Sequence, residues 1–271
     1  MSSSFRLSIE EVAVSIASLG NSEAAAGFLQ SITGDLTSDQ LSGRLTAATH
    51  SLIARELLNI DLANESSILQ TDLARSISVM LRSTIGSVRC AKTYLEGEKA
   101  ITFFADHEWW LEYTIDFGVV SRLTLIQSIA DVTRRICEFS EFRDGESQLL
   151  GKVSGDSLQI LRSLADEQNK PRLQHQIQEH LGEAIATELA SAMTSPQAEW
   201  GAILHLTTSA DLQGIEANKG IFFLNTTSST WLFDGVQGDA MFTVSRASRQ
   251  SVTDAVNRLL VESILLAGVR R

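Results

Sequence analysis

The stretch Trp109-Trp110-Leu111-Glu112-Tyr113-Thr114-Ile115-Asp116-Phe117 decides the fold. Trp109, Leu111, Tyr113, Ile115 and Phe117 alternate with Glu112, Thr114 and Asp116. A strand sends successive side chains to opposite faces, so this period of two predicts a sheet with one face buried against helices and the other partly wet. Adjacent Trp109 and Trp110 must point to opposite faces, and one of the two is therefore expected at an interface.

Upstream of that strand, Ser87–Leu95 and Ala100–Ala105 read as two more, joined by the short hairpin connection Glu96-Gly97-Glu98. Downstream, Leu125, Ile129, Val132 and Ile136 return to helical spacing. The first 60 or so residues read as helices throughout. Ser8 and Glu11 fit a capping box ahead of Ile9, Val12, Ile16 and Leu19, and Gly20-Asn21 ends that run. A second helix is expected over Glu23–Ile32, broken by Gly34-Asp35. Thr37 and Gln40 cap a third, with Leu41, Leu45, Ala48 and Leu52 on one face, and Ile68–Leu81 forms another helical stretch.

The second half repeats this order. Asp156–Gln168 and Pro171–Met193 read as helices, with Pro171 suited to a first turn. Gly201–Thr208, Gly220–Asn225, Trp231–Phe233 and Ala240–Val244 read as strands, and Ser248–Ala267 as a closing helix. Thr71-Asp-Leu-Ala matches Thr187-Glu-Leu-Ala, and Lys99-Ala-Ile-Thr-Phe-Phe matches Lys219-Gly-Ile-Phe-Phe-Leu. Trp110-Leu matches Trp231-Leu, Val120-Ser-Arg matches Val244-Ser-Arg, and the segment from Gln127 matches that from Gln250. The last four offsets are 120, 121, 124 and 123, as small loop insertions would produce. The expected class is α+β, in two quasi-symmetric halves from an internal duplication, residues 1–143 and 144–271, each packing helices on an antiparallel sheet. Asp144-Gly-Glu-Ser is the expected linker between them.

The helix, antiparallel-strand, helix layout, carried by the strand starts Trp110-Leu and Trp231-Leu and the closing helices at Gln127 and Gln250, resembles the EspG-type family of type VII secretion chaperones. That resemblance implies two quasi-symmetric α+β halves that bind secretion substrates without catalysing a reaction. It carries no short motif, and so transfers no binding residue to a position in this chain.

Composition narrows the function. Lys and Arg total 22 against 33 Asp and Glu, a formal charge of −11, and such a field repels polyanions and anionic lipid. The two cysteines, Cys90 and Cys137, form no CxxC pair and read as buried thiols of a reducing compartment. Met1–Arg6 leads into an amphipathic segment carrying Glu10 and Glu11, without an apolar core of signal-peptide type, so a cytoplasmic location is expected. No GxGxxG, P-loop, GxSxG or HExxH pattern occurs, and His175 and His180 stand five apart rather than four. No metal, cofactor or catalytic residue is expected.

The expected function is a noncatalytic, cytoplasmic protein-binding module, a chaperone or adaptor whose partner is a protein, with neither nucleic acid nor membrane among its partners. Its contact residues are expected in the long connection Ser209–Asn218, where Leu212 and Ile215 stand among Asp211, Gln213 and Glu216 as apolar anchors in a polar rim. One alternative is a helix-turn-helix regulator, since a helix ending at Ile32, a turn and a helix from Asp39 have the right order. Residues up to Asp61 hold three basic side chains (Arg6, Arg44, Arg55) against seven acidic ones, which is poor chemistry for phosphate. A second alternative is an enzyme whose acid and base assemble from distant positions.

Overall fold

The computed structural model describes residues 3–34, 37–61, 66–82, 87–94, 97–106, 108–208, 215–236 and 241–269. The chain is α+β with a large antiparallel sheet, and it resolves into two compact units that interleave in sequence. The first unit comprises residues 1–84 and 103–127, and the second 85–102 and 128–271.

The first unit opens with strand β1 (Ser4–Ser8), which the sequence reading passed over because its apolar signal is only Phe5 and Leu7. Helices α1 (Ile9–Ser18), α2 (Ser22–Thr33) and α3 (Ser38–Ala54) follow. Both expected capping boxes form: Glu11 N donates to Ser8 Oγ while Ser8 N donates to the Glu11 carboxylate, and Gln40 and Thr37 make the same exchange. A small hairpin, β2 (Leu58–Asp61) with β3 (Ser66–Leu69), precedes α4 (Thr71–Arg82). Ile68 and Leu69 therefore belong to a strand rather than to the helix expected from Ile68 onward.

The sheet of this unit is built on β6 (Trp110–Asp116) and β7 (Val120–Ile126), antiparallel from Trp110↔Ile126 to Asp116↔Val120, with β1 antiparallel on the other side of β7. Leu125 lies in β7, not in the helix that its spacing to Ile129 suggested. Leu111, Leu123 and Leu125 join Leu7, Val12, Ile16, Leu52, Leu73 and Ile77 in one buried core, and α1 and α4 rest on this face. The opposite face is buried at Trp110, Glu112, Thr124 and Ile126 and open at Arg122. Trp109 is half-buried against the first core, with the Arg75 guanidinium 5.0 Å from its ring, and Trp110 is buried. Both faces of the strand are covered at this end, so neither tryptophan is the exposed interface residue that the alternation suggested. Phe117 leaves the strand pattern altogether, at a turn and in solvent.

The second unit holds β4 (Ser87–Tyr94), the start of β5 (Gly97–Ala105), α5 (Ile129–Ser140), β8 (Gln148–Ser154), α6 (Gly155–Asp166), α7 (Lys170–Leu181) and α8 (Glu183–Met193). Then come β9 (Glu199–Thr208), β10 (Ile215–Asn225), β11 (Thr230–Val236), β12 (Met241–Ala247) and α9 (Arg249–Val269). The strand order is β5-β4-β9-β10-β11-β12-β8, and the strands from β4 onward pair antiparallel. Asp144–Ser147 is irregular and lies within the second unit, and the next residues form edge strand β8, which the sequence reading missed. Gly182, at φ 84°, breaks the 171–193 stretch into α7 and α8, a conformation glycine adopts at no steric cost.

Helices cover both faces of this sheet. Trp231, Phe233 and Val244 point into the layer of α6, α7 and α8 through Leu161, Leu173, Ile177 and Leu189. α5 and α9 pack against each other and lie on β4, with α9 also on β9, β10 and β12. A sheet wrapped on both sides explains the near-continuous apolar run Ile221-Phe222-Phe223-Leu224. Four strands followed by a helix occur twice, as β4–β7 with α5 and as β9–β12 with α9. Trp110 and Trp231 both stand at the start of the third strand of their set, whereas Val120 opens β7 and Val244 lies mid-β12.

Candidate functional site

Of the four expected contact residues, Asp211 and Leu212 lie outside the described residues. Ile215 and Glu216 open β10, their backbones opposite Thr208 and Thr207. The connection is therefore shorter than the Ser209–Asn218 loop read from the sequence, because Ile215–Asn218 extend the strand. Backbone pairing along that hairpin outweighs the turn-like composition of Glu216, Asn218 and their neighbours.

The second unit carries a groove of about 1010 Å³. One wall is the C-terminal part of α6 with Arg162, Ala165 and Asp166, and another is the segment from Met193 to Ala198 that follows α8. Its other borders are Gly97, Glu98 and Lys99 of β5, Glu199 and Trp200 of β9, and the Thr226-Thr227 turn with Arg143. Trp200 stacks on Phe233 at 5.7 Å and 28°, and the Arg162 guanidinium lies 5.6 Å from the indole. The indole is thus packed on a second ring with a cation over it.

A buried polar network braces the groove end near Arg143. Asn225 Nδ2 donates to the Ser140 carbonyl at 2.7 Å, and Thr230 Oγ1 donates to Asn225 Oδ1 at 2.8 Å. Arg143 N donates to Thr230 Oγ1 at 2.8 Å, and its Nε donates to the Thr226 carbonyl at 3.3 Å. Every polar atom named here is spent on holding the turn, which fits a positioning role. Lys92, only 1% exposed, reaches Glu141 at 3.1 Å and Glu199 at 3.7 Å. Two carboxylates thereby offset one buried ammonium whose desolvation alone would be costly.

Three cations (Lys99, Arg143, Arg162) and three anions (Glu98, Asp166, Glu199) line the groove together. This mixture suits a polar polypeptide surface better than a single transition-state charge. Cys90 is buried, touches Ser140 Oγ at 3.2 Å, and burial pushes its thiol up to about 12, so it is not a nucleophile at neutral pH. Cys137 is half-buried, its thiol likewise raised by burial. His175 and His180 are exposed on α7, His175 near Glu179 at 3.7 Å and His180 near Ser157 at 3.2 Å, and His205 is buried mid-strand. Among the described residues no three His, Cys, Asp or Glu side chains gather as metal ligands. Among them, too, no helix is long and apolar enough to cross a membrane. The sequence reading did not find the groove, since its borders come from five separated segments.

The fold has a solved counterpart. The Mycobacterium tuberculosis type VII secretion system chaperone EspG5, determined in complex with the PE25–PPE41 dimer, superposes with a TM-score of 0.65 at 10% identity, over 95% of this chain and 96% of that one. The layout resemblance read from the strand starts is thus a likeness of fold. No curated protein matches the chain in sequence. One family model spans residues 4–256, and by that match the chain belongs to the family described as uncharacterised protein YfjC.

Proposed function

We propose that this protein is a noncatalytic, cytoplasmic binding module for a protein partner, a chaperone or adaptor that holds a secreted or assembling polypeptide. The observation that carries the reading is the likeness of fold, over nearly the whole of both chains, to a secretion chaperone solved with a protein dimer bound. The mixed charges that line the groove with Trp200 support it, because an aromatic anchor among polar side chains is the composition of a protein contact rather than of a reaction centre. Asp211, Leu212, Ile215 and Glu216 belong to the same proposal as contact residues, on the strength of two aliphatics within a polar segment.

The regulator reading loses its cations. Arg44 pairs with Glu10 at 3.4 Å and Arg55 with Glu11 at 3.0 Å, so the basic side chains of α3 and its C-cap are turned to carboxylates of α1. Phosphate binding would have to break those pairs on a chain of charge −11. The test is affinity isolation of the full chain from the cells that make it, read by native mass spectrometry. A stoichiometric complex with one protein, or one protein dimer, is expected. The free chain alone, or a species carrying nucleic acid, would overturn the proposal.

A further inference from the structure

The hairpin joining β6 to β7 spends stability to place an aromatic ring in water. Phe117 is 93% exposed, and Val119 and Ile115 beside it are 58% and 40% exposed. Phe117 and Gly118 have φ of 55° and 72°, and Val119 N donates to the Asp116 carbonyl at 3.2 Å. Positive φ at both central residues is the requirement of a type I′ turn, which favours Asn-Gly. Here phenylalanine occupies the asparagine position, where a bulky side chain is strained.

Three other described non-glycine residues have positive φ: Glu56, Glu141 and Gln168. Each directly follows or closes a helix, where a left-handed residue satisfies the last carbonyls. Phe117 has no such reason, and it alone of the four is apolar. Strain and exposure of one apolar side chain, at one turn, are two separate costs, and a site that bears both has a use for the ring.

The charges at this tip say what it meets. Asp116 receives Arg122 at 2.8 Å and lies 4.0 Å from Arg6. The two guanidiniums, 45% and 64% exposed, share one carboxylate, so the tip is locally cationic on a strongly acidic chain. We propose that Phe117 and Val119 form a hairpin anchor that enters an apolar pocket of the partner protein, with carboxylates on the pocket rim facing Arg6 and Arg122. This rests on the reading of the chain as a protein-binding module. An anionic membrane is the weaker fit, because the net charge of −11 opposes approach to it.

The experiment has two arms on the full chain. In the first, p-benzoylphenylalanine replaces Phe117 in the native cell, with the same photoprobe at exposed Ile160 as the control position. A cross-link from 117, mapped by mass spectrometry to a segment of apolar residues flanked by Asp or Glu, is expected. In the second, Phe117→Asn, Val119→Ser and Arg6→Glu are measured against the isolated partner. Asparagine tolerates the left-handed turn, so Phe117→Asn should leave the melting temperature equal or higher while weakening affinity about thirtyfold, the scale of a buried aromatic anchor. Arg6→Glu should weaken binding and flatten its salt dependence. Unchanged affinity for Phe117→Asn, or a cross-link to lipid or to another copy of this chain, overturns the anchor and leaves the protein-binding reading standing. A chain that holds no protein partner in any variant removes both.

Discussion

Gly201 offers a sharp test of the packing of the second unit. It lies in β9 directly opposite Phe223 of β10, and the ring lies over the place where a side chain would begin. A Cβ built on Gly201 would meet three ring atoms at 2.1, 2.5 and 2.7 Å, far inside contact distance. The ring has nowhere inexpensive to go, since Phe223 is wholly buried and Phe142 packs edge-on at 5.0 Å and 73°. Gly201→Ala should therefore cost about 3 kcal/mol, the upper end for overpacking, even after alanine's small advantage in the unfolded chain. For a chain of this size that is a fall of about 6–12 °C in melting temperature, read by calorimetry. Phe223→Leu should cost about 1–2 kcal/mol alone, because it removes ring contacts. Combined with Gly201→Ala, it should restore part of the loss, leaving the double variant more stable than the sum of the singles by about 1.5 kcal/mol. A Gly201→Ala protein melting within about 2 °C of the parent would refute the reasoning, as would strict additivity.

Two further outcomes follow from polar groups. Glu11 is buried and its carboxylate accepts from Ser8 N at 2.7 Å, Ser51 Oγ at 2.7 Å and Arg55 at 3.0 Å, so Glu11→Ala should destabilise by about 3 kcal/mol in urea unfolding. A loss below about 0.5 kcal/mol would mean that this cluster does not fasten α1 to α3. Burial raises the Cys90 thiol from 9.0 to about 12, so its neutral form favours the folded state. That contribution is complete below pH 9 and is lost as the pH rises from about 9 through about 12, where the unfolded chain releases the proton first. Iodoacetamide at pH 8 should accordingly modify half-buried Cys137 well before Cys90, and equal rates would contradict the burial of Cys90.

Local rules were legible wherever a signal lay within a few residues. Ser8/Glu11 and Thr37/Gln40 capped α1 and α3 because a capping box is closed by atoms three residues apart. Leu111 and Tyr113 pointed to the core because a strand alternates whatever surrounds it. Pro171 stands in the first turn of α7 for the same local reason. The α+β class and the strand-rich layout followed from those periods alone.

What failed did so where neighbours, not spacing, decide. β1 and β8 are short edge strands whose only strong reason to be extended is the partner they pair with, β7 and β12. Leu125 fitted a helical spacing and a strand equally, and pairing with Leu111 settled it. Trp109 and Trp110 had to face apart, but only the packing could show both faces covered. The groove draws Glu98, Arg143, Arg162, Asp166, Glu199 and Thr226 from separated stretches, and proximity of that kind has no period to read. The exposure of Phe117 was hidden for the opposite reason: its alternation predicted a core position, and the turn after Asp116 carried it out of the strand. Sequence by itself determined the elements held by contacts within one or two turns of chain, while tertiary structure decided every residue whose burial depends on what another segment brings to it.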